Sequence, residues 1–143
     1  MITKLAITTV KVLDHDEALD FYVNKLGLEM GQDVTRGQFR WLTVRVPGDP
    51  SPEIVLEKPE PPVRDEDTAA QLRDLLARGA MDYLLFHTDD VRGLYETLKA
   101  RGITGFTQEP TEHAYGTEMR LRDPSGNDIR ILQPATVADE ATT

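Results

Sequence analysis

Apolar and polar residues alternate from Ile2 to Val12, the two-residue period of a strand with one covered face. Asp14-His15-Asp16 then supplies helix-start chemistry and predicts a helix over residues 17–25, which Gly27 closes. Short strands separated by turns follow: LEMGQDV from residue 28, residues 39–46, a PGDPSP turn, and residues 53–57. The first part of the chain therefore reads β-α-β-β-β. A Pro-rich acidic stretch, KPEPPVRDED, leads into a helix predicted over residues 68–78, with Leu72, Leu75 and Leu76 on one stripe and Gly79 as its stop.

The first pattern then recurs with its landmarks displaced by 75 positions: Asp14 maps onto Asp89, Leu19 onto Leu94, Gly27 onto Gly102, Arg45 onto Arg120, Ile54 onto Ile129 and Pro59 onto Pro134. Shared roles (cap, helix core, helix stop, strand, strand end) carry more weight than the six identities and predict a duplication. Module 1 covers about residues 2–58, a connector about 59–79, module 2 about 80–134, and residues 135–143 form a small, polar, frayed tail. Two unrelated α+β halves with similar turn chemistry are the alternative.

In each module the helix must cover one sheet face, and the strand period assigns residues to it. Val10, Val12, Leu42, Val44, Val46, Ile54, Leu56, Leu84, Phe86, Met119, Leu121, Ile129 and Ile131 take the helix side. The opposite phase collects Ile7, Thr9 and Lys11, Phe39, Trp41, Thr43 and Arg45, Glu53, Val55 and Glu57, Tyr83, Leu85 and His87, Glu118, Arg120 and Arg122, and Asp128, Arg130 and Leu132. This second face mixes aromatic surface with a few charges, the composition of a lined pocket, and equally that of a solvated face with cross-strand ion pairs.

Composition narrows the chemistry. The 143 residues, 39% hydrophobic and 29% charged, suit one globular domain. Sixteen Lys+Arg against 25 Asp+Glu give a net charge of −9, with no basic stripe for nucleic acid and a field that would draw in a cation. The absence of cysteine excludes disulfides, thiolate catalysis and Cys-ligated metals. Apolar runs such as AMDYLLF fall far short of the roughly 20 residues of a membrane span, and the N-terminus lacks a secretory pattern. A soluble, cytoplasmic protein with no nucleic-acid or membrane partner is expected. Of the three histidines, His87 shares its phase with Glu53 and Glu57, the sole metal-ligand combination worth testing; His15 reads as a surface or capping residue, and His113 as part of an EPTEHAYG loop with Tyr115. Neither a phosphate-cradling Gly-rich loop nor an HExxH motif occurs.

The stretches ITTVKVLDHDEALDFYVNKLGLEM, LLFHTDDVRGLYETLKARGI and YGTEMRLRDPSGNDIRILQP together resemble the vicinal oxygen chelate superfamily of glyoxalases, extradiol dioxygenases and bleomycin-resistance proteins, over about residues 2–133. The resemblance implies an α+β fold in which two βαβββ modules form a cup-shaped, eight-stranded mixed sheet, commonly within a homodimer. Enzymes of the superfamily hold a divalent metal at four strand positions, which fall here on Ile7, Val55, Tyr83 and Arg130. Ile and Val have no donor atom, and a permanent guanidinium repels a cation. No metal or other cofactor is expected, so enzymatic activity is not inherited from the resemblance.

A protein similar to the bleomycin-resistance branch, which sequesters an aromatic or polycyclic and, by the net charge, cationic antibiotic or metabolite, is the leading expectation. Its ligand-contacting residues would be Phe39, Trp41, Glu53, Val55, Glu57, Tyr83, His87, His113, Tyr115, Arg120 and Arg130. An enzyme stays open as the alternative, a lyase, isomerase or dioxygenase using unusual metal ligands or metal-free acid–base chemistry at Tyr83, His87 or Glu57. So does a regulatory module with an empty cup.

Overall fold

A computed structural model describes residues 1–136; the tail expected to fray lies largely outside the described residues. The chain divides into two compact units, Met1–Ala80 and a second beginning at Met81.

Unit 1 contains β1 (Ile7–Lys11), α1 (His15–Leu19) running into a π-helical segment (Asp20–Lys25), β2 (Glu29–Arg36), β3 (Phe39–Val46), β4 (Asp49–Glu57) and α2 (Glu66–Ala77). Its sheet has the order β1-β4-β3-β2, with β1 parallel to β4 and the other pairs antiparallel. Unit 2 repeats the plan with β5 (Tyr83–His87), α3 (Val91–Ala100), β6 (Phe106–His113), β7 (Gly116–Arg122) and β8 (Asp128–Pro134), ordered β5-β8-β7-β6. In both units the helix carries the chain from the first strand to the far edge of the sheet, an antiparallel meander returns, and its last strand pairs in parallel with the first, so the α+β, paired βαβββ architecture is as the sequence implied.

The helix-facing phase forms the core. Val12, Leu42, Val44, Leu56, Met119, Leu121 and Ile129 are fully buried. Each contributes about 1.5–3 kcal/mol from removing its side chain from water.

Several boundaries differ from the sequence expectation. β1 begins at Ile7 rather than residue 2: its parallel ladder with β4 runs from Ile7, opposite Glu53, to Lys11, opposite Glu57. The PGDPSP turn contracts to Pro47-Gly48, where Gly48 takes φ 81°, and Asp49 already belongs to β4. The connector helix starts at Glu66, two residues before Thr68, because Asp65 caps it by accepting from the Thr68 N–H at 2.9 Å.

The repeat offset also needs correction. Asp14 caps α1 through the Glu17 N–H, whereas α3 is capped by Asp90, not Asp89, through the Gly93 N–H. The offset is therefore 76 at the caps and 75 from Gly27 and Gly102 onward. Unit 1 holds one extra residue between cap and closing glycine, and it is in this interval that the helix widens into its π-helical segment, with the Leu26 N–H reaching back to the Phe21 carbonyl at 2.7 Å. A one-residue insertion absorbed as a wide turn keeps Phe21 and Tyr22 facing the core, where their rings meet edge-on at 5.0 Å.

His15 is not the cap. Its Nε2 donates to the Leu56 carbonyl at 3.0 Å, tying the first turn of α1 to β4, and burial lowers its pKa from the ordinary histidine value. In unit 2 the DPSGN turn is held by Asp123, whose carboxylate accepts from the backbone N–H groups of Ser125, Gly126 and Asn127 and from the Asn127 side chain. That cluster fixes the β7–β8 hairpin and with it the register of the two strands.

Candidate functional site

The non-core phase of unit 1 brings Phe39, Trp41, Glu53 and Glu57 onto one sheet face. The Phe39 and Trp41 rings lie 6.4 Å apart and tilted. Glu57 pairs with Lys11 across the parallel ladder at 3.8 Å and with Arg64 at 3.4 Å, so its charge is already met. Glu53 accepts from the Thr43 hydroxyl at 2.6 Å, while the same hydroxyl accepts from the Gln32 backbone N–H at 2.8 Å. Gly31 makes this arrangement possible: a Cβ there would collide with Glu53 Oε1 and Thr43 Oγ1. Val55 is 3% exposed and offers a ligand almost no surface.

At one end of this unit a recess of about 100 Å³ is lined by His15, Phe39, Arg40, Glu57, Lys58 and Pro62 among others. That space suits a few waters or a ligand fragment, below the roughly 300–1,000 Å³ of drug-sized pockets. Beside it, Arg40 donates to both oxygens of Asp33 at 2.9 and 2.8 Å, an ion pair that raises the Arg40 pKa and lowers that of Asp33.

Unit 2 gathers the remaining candidates. The Arg130 guanidinium lies over the Tyr83 ring at 3.7 Å from its centroid, and its Nε donates to Asp128 at 3.1 Å. Arg120 donates through Nε to Glu118 at 2.7 Å, and Glu118 is buried while Arg120 reaches outward. Arg120 and Arg130 are direct partners in the β7–β8 ladder, so both guanidiniums rise from the same face. His113 and Tyr115 stack with parallel rings 4.9 Å apart. His113 is not in a loop: it ends β6, an edge strand whose pairing with β7 shifts register twice. His87 stands on the same phase as Tyr83, exposed, and makes no hydrogen bond or ion pair among the described residues.

Sequence reasoning placed Glu118 and Asp128 on this face without giving them a role. Their signal was present as two acid-x-Arg doublets, Glu118-Met119-Arg120 and Asp128-Ile129-Arg130, whose members share a strand face by the two-residue period. His15, Thr43 and Gly31 were missed as positioning residues because their partners are distant in sequence.

The residues at the superfamily's metal positions do not fit a divalent ion. Ile7 and Val55 supply no donor, and Arg130 is committed to Asp128 and the Tyr83 ring. Among the described residues no three His, Asp or Glu side chains cluster as a ligand set, and no helix is long and apolar enough to cross a membrane.

Comparison with known proteins agrees with this fold. The chain is 43% identical to UcmS2 in its crystal structure, with a TM-score of 0.86 over 92% of this chain and 98% of that one. TnmS3, an antibiotic binding protein from Streptomyces sp. CB03234, is 28% identical with a TM-score of 0.74, covering 94% of this chain and 98% of that one. The uncharacterized protein YurT of Bacillus subtilis (strain 168) is 36% identical over 131 residues, 91% of this chain and 98% of the relative. Residues 4–131 match the family model, and the chain belongs to the Glyoxalase/Bleomycin resistance protein/Dioxygenase superfamily.

Proposed function

We propose that this protein is a metal-independent binder that sequesters an aromatic or polycyclic small molecule, an antibiotic or a metabolite. The observation that carries the reading is what occupies the superfamily's metal positions: two hydrocarbon side chains and a guanidinium laid on a tyrosine ring 3.7 Å away. Such positions can hold flat π-surface and hydrogen-bond donors, but they cannot activate a bound oxygen as a Lewis acid. Phe39 and Trp41 add stacking surface in unit 1, where each aromatic pairing is worth about 0.5–1.5 kcal/mol beyond area burial. The printed description of TnmS3 as an antibiotic binding protein supports the same class for this chain.

Trp41 is the only tryptophan, so its fluorescence reports directly on the proposed surface. Titration with planar polycyclic compounds should change that emission saturably, and Trp41→Ala should weaken binding by roughly tenfold, equivalent to about 1.4 kcal/mol. A Trp41 signal and a calorimetric baseline that stay flat with every polycyclic class would refute the proposal. The protein is further proposed to be cytoplasmic and to act as a homodimer, which the mass in solution by light scattering checks.

A further inference from the structure

Two arginines directly opposite each other in an antiparallel ladder repel, and such like-charge pairs are normally disfavoured. Here each is oriented by a carboxylate two residues earlier on its own strand, Glu118 for Arg120 and Asp128 for Arg130. Both carboxylates are engaged through Nε. That leaves the terminal nitrogens of Arg130 without a hydrogen bond to protein among the described residues, whereas the Arg120 guanidinium also has the Tyr115 hydroxyl as a hydrogen-bond partner, behind Glu118.

The two ion pairs are not oriented alike. The Glu118 side chain is 5% exposed and that of Arg120 33%, so there the carboxylate lies beneath and the cation above, whereas Asp128 and Arg130 are equally exposed at 25%. The Arg130 guanidinium lies against the Tyr83 ring, 3.7 Å from its centroid, and Tyr83 is 52% exposed. A molecule resting on this face meets the outer fork of Arg130 and, beside it, the guanidinium of Arg120, bordered by the aromatic surfaces of Tyr83 and Tyr115. Planar forks of this kind match paired oxygens bidentately, with hydrogen bonds about twice as strong as neutral ones.

We infer that the ligand carries an anionic, paired-oxygen group (a carboxylate, or an enolised or phenolic oxygen beside a carbonyl), which the Arg120 and Arg130 forks receive while its ring system lies against Tyr83. This rests on the proposed sequestration of an aromatic molecule and reverses the charge that the net −9 suggested. The long-range field is screened within about 8–10 Å at physiological salt, whereas the forks act at contact. Tyr115 adds to the arrangement by supporting the charged state of Arg120, behind the larger effect of Glu118.

Equilibrium dialysis with three matched probes tests this: anthraquinone-2-carboxylate, its carboxamide, and the 2-aminomethyl analogue. The carboxylate should bind at least about tenfold more tightly than the amide, with the cation weakest. Arg120→Gln and Arg130→Gln should each cut the carboxylate-to-amide affinity ratio to about twofold or less, whatever their effect on the amide's own Kd. Arg120→Lys and Arg130→Lys, which keep the charge and are the safer folding controls, should lose part of it because the fork is gone. Equal affinity for all three probes, or preference for the cation, would overturn the anion inference and leave aromatic sequestration standing. Binding of none would overturn both.

Discussion

Thr43→Val removes one hydroxyl at constant shape. Thr43 is fully buried; its Oγ1 donates to Glu53 Oε1 at 2.6 Å and accepts from the Gln32 N–H at 2.8 Å. The variant leaves a backbone donor without its acceptor, at about 1–3 kcal/mol, and deletes a hydrogen bond to a charged group, ordinarily about 1.5–3 kcal/mol. Water recovers part of both, because Glu53 is half-buried and Gln32 is exposed. The net expectation is about 2 kcal/mol. With a urea m value of roughly 2 kcal/mol/M, the midpoint should fall by about 1 M with m unchanged. A methyl-for-hydroxyl change could also lower stability through packing alone, so the decisive measurement is a double-mutant cycle with Glu53→Ala. If the hydroxyl acts through Glu53, the two changes should couple by about 1 kcal/mol. Coupling below about 0.3 kcal/mol, or a midpoint within about 0.2 M of the parent, would refute the reasoning that this carboxylate is held in place by Thr43.

Gly31→Ala should displace Glu53 from Thr43, since the new methyl occupies the space of both polar atoms, and should lower stability by about 1–3 kcal/mol in thermal melts. Asp123→Ala strips three backbone donors of their acceptor in the DPSGN turn, and a loss of about 3 kcal/mol is expected by urea denaturation. His15 has its pKa lowered in the fold by burial, so the native state resists the proton that the unfolded chain takes up near pH 6.5. Its contribution is complete above that pH and is lost as pH falls from there through the folded value. Tm should therefore decline between about pH 7 and pH 5, and His15→Gln should flatten that slope. The carboxylates held below their ordinary range, such as Asp33 beside Arg40, lose their contribution only in more acidic solution, so the windows separate.

The helix-side strand face was legible from its two-residue period, and Leu42, Val44, Ile129 and Ile131 are buried on that phase, although Thr43, Val55 and Glu118 are buried on the other. The helix cap of the second unit was not. Asp89 and Asp90 are adjacent carboxylates with equal capping chemistry, and only the hydrogen bond to the Gly93 N–H distinguishes them. Misreading that doublet by one residue conceals the extra residue that the π-helical segment accommodates in unit 1. β6 escaped for a different reason: FTQEPTEH has no apolar periodicity, because an edge strand whose pairing slips twice has little buried face to encode.

The candidate site was visible as residues and invisible as geometry. The acid-x-Arg doublets can be read from the sequence, but a strand pattern does not say whether an arginine turns to its own neighbour or to the facing strand. That choice decides the chemistry. Had Arg120 and Arg130 each been bound across the ladder by the other strand's carboxylate, both forks would be spent and the face would be an ordinary solvated ion-pair network. Because each is bound through Nε along its own strand, the Arg130 terminal nitrogens carry no protein hydrogen bond among the described residues, and Arg120, over the buried Glu118, shares its guanidinium only with Tyr115. Total charge carries no information on this point, since the four groups sum to zero and leave the net −9 unchanged. The inferred sign of the ligand thus follows from which guanidinium nitrogens are spent inside two neutral pairs, a property of side-chain geometry rather than of composition.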